Sequence, residues 1–163
     1  MANICEFSMM IKGKHDNIKK FYDALTQANE DVWMGRGAEV YEVDDDGDTV
    51  IIGGDTKWSL TASLIMDAVS MREQAKEGID HHWVDHINKI NEFVTLPEAC
   101  KKFNVNMEVF SSETGMCFQE HYKYEDGVFT KEVTDYYESY DENDNLIQEG
   151  GFEWDFDLQG KEK

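Results

Sequence analysis

The chain has 163 residues, in which 15 Lys and Arg stand against 35 Asp and Glu, so its formal net charge at pH 7 is −20. This balance excludes a protein that grips nucleic-acid phosphates with a basic face, because such binding needs clustered Lys and Arg. Hydrophobic residues make up 40% and aromatic residues 12% of the chain. That composition predicts a folded core rather than a disordered chain, and the length suits one domain.

The cysteine content indicates a reducing compartment. Cys5, Cys100 and Cys117 are odd in number, far apart and without a CxxC pair, so we expect thiols and a cytoplasmic location. Cys100 falls inside a predicted helix, where a packed thiol is expected rather than a nucleophile. The chain shows no basic n-region and no apolar run near the ~18 residues of a membrane helix. We therefore expect neither a signal peptide nor a membrane segment.

Residues 1–58 read as a β-α-β-β unit. Residues 4–12 predict a strand that stops at Gly13, and the helical spacing of apolar residues predicts a helix over 16–28. A hairpin follows, with strands at 38–43 and 49–52 around an Asp-rich turn. Gly53 and Gly54 are expected to end its second strand.

Residues 59–103 read as the helical middle of the chain. One apolar stripe runs over 60–75 and stops at Gly78, and a second runs over 79–94. Thr95-Leu96-Pro97-Glu98 matches the S/T-x-x-E capping box, with the only proline of the chain in the first turn. A short helix through Phe103 is therefore expected.

Residues 104–163 read as a strand-rich, acidic half. Strands are predicted over 106–110, 116–124, 128–137, 146–147 and 152–156, with turns at 125–127 and 141–145. Taken together, residues 1–163 predict a single α+β domain, an antiparallel sheet with helices packed on one face. The side chains expected in its core are Phe7, Met9 or Met10, Phe118, Tyr122 and Val133.

A histidine-rich segment leaves two interpretations open. His81, His82 and His86 lie close together, and the i, i+4 spacing of His82 and His86 puts two imidazoles on one helix face. One interpretation is a metal-dependent hydrolase or nuclease that uses His82 and His86; the other is a helix whose edge carries boundary histidines. Because no HExxH glutamate and no matching cysteine completes a ligand set, we expect no bound metal, no cofactor and no catalytic residue.

Acidic residues concentrate in two regions, the hairpin over 39–48 and the segment 141–157, and the second contains no Lys or Arg. Duplex DNA carries one charge per ~1.7 Å, so twenty charges match ~34 Å of duplex, similar to the width of a compact chain of this length. Nucleic-acid mimicry is one interpretation, and simple solubility is the other. The residues predicted to bind a partner are Asp44, Asp45, Asp46, Asp48, Asp141, Glu142, Asp144, Glu149, Glu153, Trp154 and Asp155.

Two stretches resemble the YubB-like ferredoxin-like proteins of phages and plasmids. The first is Met1-Ala2-Asn3 to Ile11-Lys12-Gly13 with Ile18-Lys-Lys-Phe21 and Thr56-Lys57-Trp58. The second is Glu113-Thr-Gly115-Met-Cys-Phe118-Gln-Glu120-His-Tyr122, leading into Tyr124-Glu-Asp-Gly127. The resemblance covers about two thirds of the chain, without the histidine-rich segment and the acidic tail. It implies a ferredoxin-like α+β fold and a mobile-element origin, and it implies no activity.

The acidity and the resemblance together predict a non-enzymatic phage or mobile-element accessory protein. We expect it to bind a basic surface of a nucleic-acid-handling host protein or ribonucleoprotein, as an anti-CRISPR or anti-restriction inhibitor does, and to contact neither nucleic acid nor a membrane directly. Acidic residues would steer the encounter, and Trp154 or Phe152 would anchor it. A structural or regulatory phage protein, acidic only for solubility, is the remaining alternative.

Overall fold

A computed structural model describes residues 3–77, 92–113, 118–135, 138–140, 142–143 and 146–149. The elements in chain order are β1 (Ile4–Lys12), α1 (His15–Leu25), β2 (Val32–Trp33), β3 (Glu39–Asp45), β4 (Thr49–Lys57), a π-helical segment (Ala62–Met66) that runs into α2 (Asp67–Glu77), β5 (Glu92–Phe93), α3 (Leu96–Phe103), β6 (Asn106–Glu113), β7 (Phe118–Glu125), β8 (Val128–Asp135), β9 (Glu138–Tyr140) and β10 (Leu146–Glu149).

Six of these strands form one antiparallel sheet in the order β3-β4-β1-β6-β7-β8. The first strand of the chain lies inside the sheet, because β1 pairs with β4 on one side and with β6 on the other. The strands β9 and β10 form a separate antiparallel pair, and β2 and β5 form a short parallel pair. The predicted α+β class is confirmed.

The core forms where alternate residues of β1 meet two helices. Phe7, Met9 and Ile11 point to one face of the sheet, as the two-residue period of a strand requires. Ile18 and Phe21, three positions apart on α1, join the same cluster. The other buried core residues include Leu25, Val50, Ile52, Leu60, Leu64, Leu96, Ala99, Cys100, Met107, Val109 and Tyr122. The periodicities read from the sequence therefore identify the faces that pack together.

The helix α3 begins and ends as its sequence predicts. The Thr95 side chain accepts a hydrogen bond from the Glu98 backbone N–H, and the Glu98 carboxylate accepts one from the Thr95 N–H at 2.8 Å. Burial alone would raise the pKa of Glu98, but these hydrogen bonds and the one from Arg72 hold it below its ordinary value. Asn104 stops the helix in the left-handed conformation, with φ of 54°.

Several sequence predictions are wrong in detail. Gly53 and Gly54 do not end β4, which continues to Lys57 as a partner of β1. Val133, predicted to be in the core, is 52% exposed on β8, because nothing in the described part of the molecule packs over it near the sheet edge. The helix predicted over 79–94 does not reach its expected end, since residues 92–93 form β5; residues 78–91 lie outside the described residues.

The described helices are too short or too polar to cross a membrane. The sheet also places the predicted hairpin at one edge, because β3 is the terminal strand next to β4. That edge is where the first group of predicted partner-binding residues lies.

Candidate functional site: an acidic sheet edge and a neighbouring cleft

The hairpin of β3, β4 and the turn between them, here named the acidic hairpin, brings four predicted residues together. Asp44, Asp45, Asp46 and Asp48 lie within five positions at its tip, and all four side chains are exposed. No Lys or Arg occurs between residues 37 and 56. The acidic hairpin is therefore a concentrated negative surface at the edge of the sheet.

One cation contacts the hairpin tip. His15, at the start of α1, lies 2.7 Å from the Asp45 carboxylate through Nε2. The hydrogen bond to Asp45 raises the pKa of His15, and the same bond, with one from the Gly47 N–H, lowers the pKa of Asp45. His15 thus neutralises part of the tip only while its imidazole is protonated.

A row of carboxylates continues from the hairpin across the sheet. The register places Glu39 opposite Asp55, and Asp55 opposite Glu6. Directly opposed residues share a face at about 5 Å, and like charges in such positions are destabilising. The Tyr41 hydroxyl relieves part of this repulsion by donating to the Asp55 carboxylate, and that hydrogen bond raises the pKa of Tyr41 to about 12. The fold therefore tolerates an electrostatic cost along this row.

The second predicted acidic region is largely beyond the described residues. Glu142 lies exposed in a turn, and Glu149 ends the strand β10. Asp141, Asp144, Glu153, Trp154 and Asp155 lie outside the described residues, as do His81, His82 and His86. Within the part of the chain that the structure describes, no group of three or more His, Cys, Asp or Glu side chains could hold a metal ion.

A buried carboxylate occupies the helix-facing side of β7. Glu120, 1% exposed, accepts hydrogen bonds from the backbone N–H groups of Leu60 and Thr61 at 2.8 and 3.1 Å. The hydroxyls of Thr61, Ser111 and Tyr122 donate to it at 2.7–2.8 Å. Because Leu60 and Thr61 open the helical stretch that leads to α2, Glu120 acts as its N-terminal cap from a distant strand.

The ionisable groups near Glu120 are held in their neutral forms. Burial raises the pKa of the Cys5 thiol to about 11, and the Glu120 carboxylate adds to the effect. Burial also raises the pKa of the Tyr122 hydroxyl. Cys100, fully buried in α3, likewise has its pKa raised by burial, so it is a packed thiol as its position in the sequence indicates. The two thiols and the Tyr122 hydroxyl therefore stay protonated at neutral pH.

A cleft of about 1070 Å³, here named the helix–sheet cleft, opens beside the acidic hairpin. The strands β3 and β4 form one wall and α2 the other; the lining includes Trp33, Arg36, Tyr41, Asp55, Thr56 and Gln74. Sequence reasoning missed this cleft, because its walls come from segments far apart in the chain.

Comparison with known proteins returns no match to any family model, any curated protein or any solved structure.

Proposed function

We propose that this chain is a non-enzymatic binding protein that occupies a basic surface of a nucleic-acid-handling host protein. The observation that carries the proposal is the acidic hairpin, whose four tip aspartates are all exposed at the edge of the sheet. In this reading the protein acts as an anti-CRISPR or anti-restriction inhibitor, by presenting negative charge where the host protein would hold nucleic acid.

The hairpin also presents apolar surface suited to a protein partner. Tyr41 is 64% exposed and Val43 55% exposed, on the same strand as Asp44 and Asp45. Interfaces gain most of their affinity from a few aromatic or aliphatic anchors, while charges mainly steer the encounter. Tyr41 and Val43 are thus the described candidates for anchors, and the aspartates supply the steering.

The proposal also covers fold and origin. The order β1-α1-β3-β4-α3-β6 follows the β-α-β-β-α-β plan of ferredoxin-like domains. The helix α1 connects β1 to β3, and β4 lies between these two strands in the sheet. The helix α3 connects β4 to β6, and β1 lies between them. This arrangement supports a ferredoxin-like fold extended by β7 and β8. From this topology and the sequence resemblance we also propose the YubB-like relationship and a mobile-element origin, and from the odd, widely spaced cysteines a cytoplasmic location.

The test compares two variants of equal charge. The tip variant carries Asp44→Asn, Asp45→Asn, Asp46→Asn and Asp48→Asn; the control carries Glu30→Gln, Glu73→Gln, Glu125→Gln and Asp126→Asn, which are also exposed. Surface plasmon resonance against purified CRISPR effectors and restriction endonucleases gives association and dissociation rates. At about 0.05 M salt we expect the tip variant to associate roughly tenfold more slowly than the control, because steering depends on where the charge lies.

Salt provides the second readout. Raising the salt to about 0.5 M should remove most of the difference between the two variants, since the Debye length falls to a few ångströms. The proposal is contradicted if no effector or endonuclease binds, or if both variants associate at the rate of the parent protein.

A further inference from the structure

The helix–sheet cleft contains a buried polar atom that the fold leaves unsatisfied. Thr56 is 2% exposed, and its Oγ1 has no hydrogen-bond partner among the described residues. Its neighbour across the strand pair is Cys5, whose thiol lies beside the hydroxyl without the geometry of a hydrogen bond. An unsatisfied buried hydroxyl destabilises the fold, so a ligand that pairs with it would recover that free energy.

A second unsatisfied oxygen lies on the opposite wall. The side-chain oxygen of Gln74 on α2 is buried and has no partner in the described part of the chain, while its nitrogen donates to Ser70 at 3.1 Å. Thr56 and Gln74 both line the cleft, so a ligand that displaces the atoms covering these oxygens would find a hydrogen-bond acceptor on each wall. A ligand that suits both positions is a hydrogen-bond donor.

The charges around the cleft favour a cation. Glu39, Asp55 and Asp67 line it against Arg36 and Lys57. Arg36 is already paired with Asp67 at 2.7 Å. The protein as a whole carries −20, so an anion would approach against the field of the molecule.

Aromatic side chains specify which cation suits the cleft. Trp33 and Tyr41 both line it, and planar guanidinium groups stack on aromatic faces more readily than compact ammonium groups. A guanidinium group also has five N–H donors and no acceptor, which matches a cleft that presents several oxygens.

We propose that the helix–sheet cleft binds a guanidinium group, as an arginine side chain of a protein partner presents it. The assignment of the arginine to a protein partner rests on the proposed function, whereas the guanidinium site itself rests on the cleft. Because Glu39, Tyr41 and Asp55 belong both to the cleft and to the acidic hairpin, one arginine-bearing segment could contact both surfaces at once.

The test titrates N-acetylarginine amide into the isotopically labelled full chain and follows the backbone amide of Thr56 and the indole N–H of Trp33 by NMR. We expect saturable shifts at both positions, at least tenfold weaker binding of N-acetylcitrulline amide, which has the shape without the charge, and weaker binding of N-acetyllysine amide. Free arginine is added as a third arm. If free arginine binds no more tightly than N-acetylarginine amide, the result supports an arginine side chain of a protein as the ligand. If free arginine binds markedly more tightly, the assignment to a protein side chain is overturned.

Two variants test the unsatisfied oxygens. Thr56→Val and Gln74→Leu should each weaken binding about three- to tenfold, the effect of one hydrogen bond, whereas Thr49→Val on the same strand should not. Gln74 is partly exposed, so its variant keeps the test informative if Thr56→Val does not fold. The guanidinium site is overturned if the chemical shifts do not saturate, or if N-acetylcitrulline amide binds as tightly as N-acetylarginine amide. It is also overturned if both cleft variants bind N-acetylarginine amide with the affinity of the parent protein.

The two proposals fail in distinguishable ways. The tip variant of the acidic hairpin leaves Thr56 and Gln74 intact, so it should bind N-acetylarginine amide as the parent does. If no host effector binds but the amide still does, the proposed function falls and the cleft assignment stands. If an effector binds and N-acetylarginine amide does not, the proposed function stands and the cleft assignment falls.

Discussion

Glu120 joins two strands and a helix through a single carboxylate. It bonds to Ser111 on β6, to Tyr122 on its own strand and to the backbone of Leu60 and Thr61 before α2. Hydrogen bonds to a charged group contribute about 1.5–3 kcal/mol each when the partner is removed, more than neutral pairs do. The stability of the helix start is thus tied to the middle of the sheet.

Replacing Glu120 by Gln should therefore destabilise the protein by roughly 3 kcal/mol. In this variant an amide NH₂ group would face hydrogen-bond donors where the parent protein has an accepting carboxylate oxygen. The volume of the side chain would stay nearly constant. Urea denaturation followed by circular dichroism measures the change in the free energy of unfolding. Glu125→Gln, exposed at the end of the same strand, is the control and should stay within about 0.5 kcal/mol of the parent; equal effects of the two changes would contradict the capping role.

His15 provides a pH-dependent contact at the hairpin tip. The hydrogen bond to Asp45 raises the pKa of His15 in the folded protein above its ordinary value of about 6.5. A raised folded-state pKa means that protonated His15 stabilises the fold fully below pH ~6.5. This contribution is lost as the pH rises through the folded-state pKa, and the tip then gains net negative charge.

An NMR titration of the His15 imidazole should consequently give a pKa above the ordinary value in the parent. In Asp45→Asn the pKa should return toward about 6.5, while Asp44→Asn should produce a smaller change because Asp44 makes no ion pair with His15 in the structure. If the His15 imidazole of the parent protein has the ordinary pKa, or if Asp45→Asn leaves its pKa unchanged, the contact between His15 and Asp45 is excluded.

Among the elements, β4 contains two adjacent glycines that differ in how closely the neighbouring strand approaches them. The register with β3 shifts between Val40 and Glu42, so a bulge brings the β3 backbone against β4. A Cβ at Gly54 would overlap the Glu39 carbonyl oxygen, whereas a Cβ at Gly53 would meet the Glu42 side chain at 3.5 Å, an ordinary contact. Only Gly54 is required by the close approach of the two strands.

Gly54→Ala should thus cost about 2–3 kcal/mol through backbone displacement, and it should disturb the edge that carries the acidic hairpin. Gly53→Ala should be neutral or stabilising by up to about 1 kcal/mol, since alanine loses less conformational entropy in a strand. Thermal unfolding of the two single variants makes the comparison. Equal melting temperatures would show that the bulge is not as close as the structure has it.

At the scale of the whole molecule, the described negative charge is unevenly placed. The sheet has its acidic tip and its opposed carboxylates at the β3 edge, and its apolar face against α1 and α3. Because β3 is an edge strand, its charges also protect an open strand from pairing with another chain. In the proposed function the same residues also steer a basic partner, and the equal-charge variants separate that role from a general effect of charge.

Features that depend on local spacing or on composition can be predicted from the amino-acid sequence. The net charge, the β1 strand, the capping box of α3 and the acidic hairpin all follow from neighbouring residues. Gly53 and Gly54 were misread because a glycine pair that ends a strand looks the same, along the chain, as one that admits a bulge. Val133 was misread because alternation predicts which face a residue takes but not whether that face is covered.

Contacts between distant segments are visible only in the folded structure. The position of β1 between β4 and β6 pairs residues about 45 and 100 positions apart, and the Glu120 carboxylate reaches donors 59 and 60 positions away. The helix–sheet cleft likewise combines β4 with Gln74 of α2. Such contacts form because several surfaces are buried together. The free energy of that burial is summed over the whole fold, so no local pattern of residues predicts it.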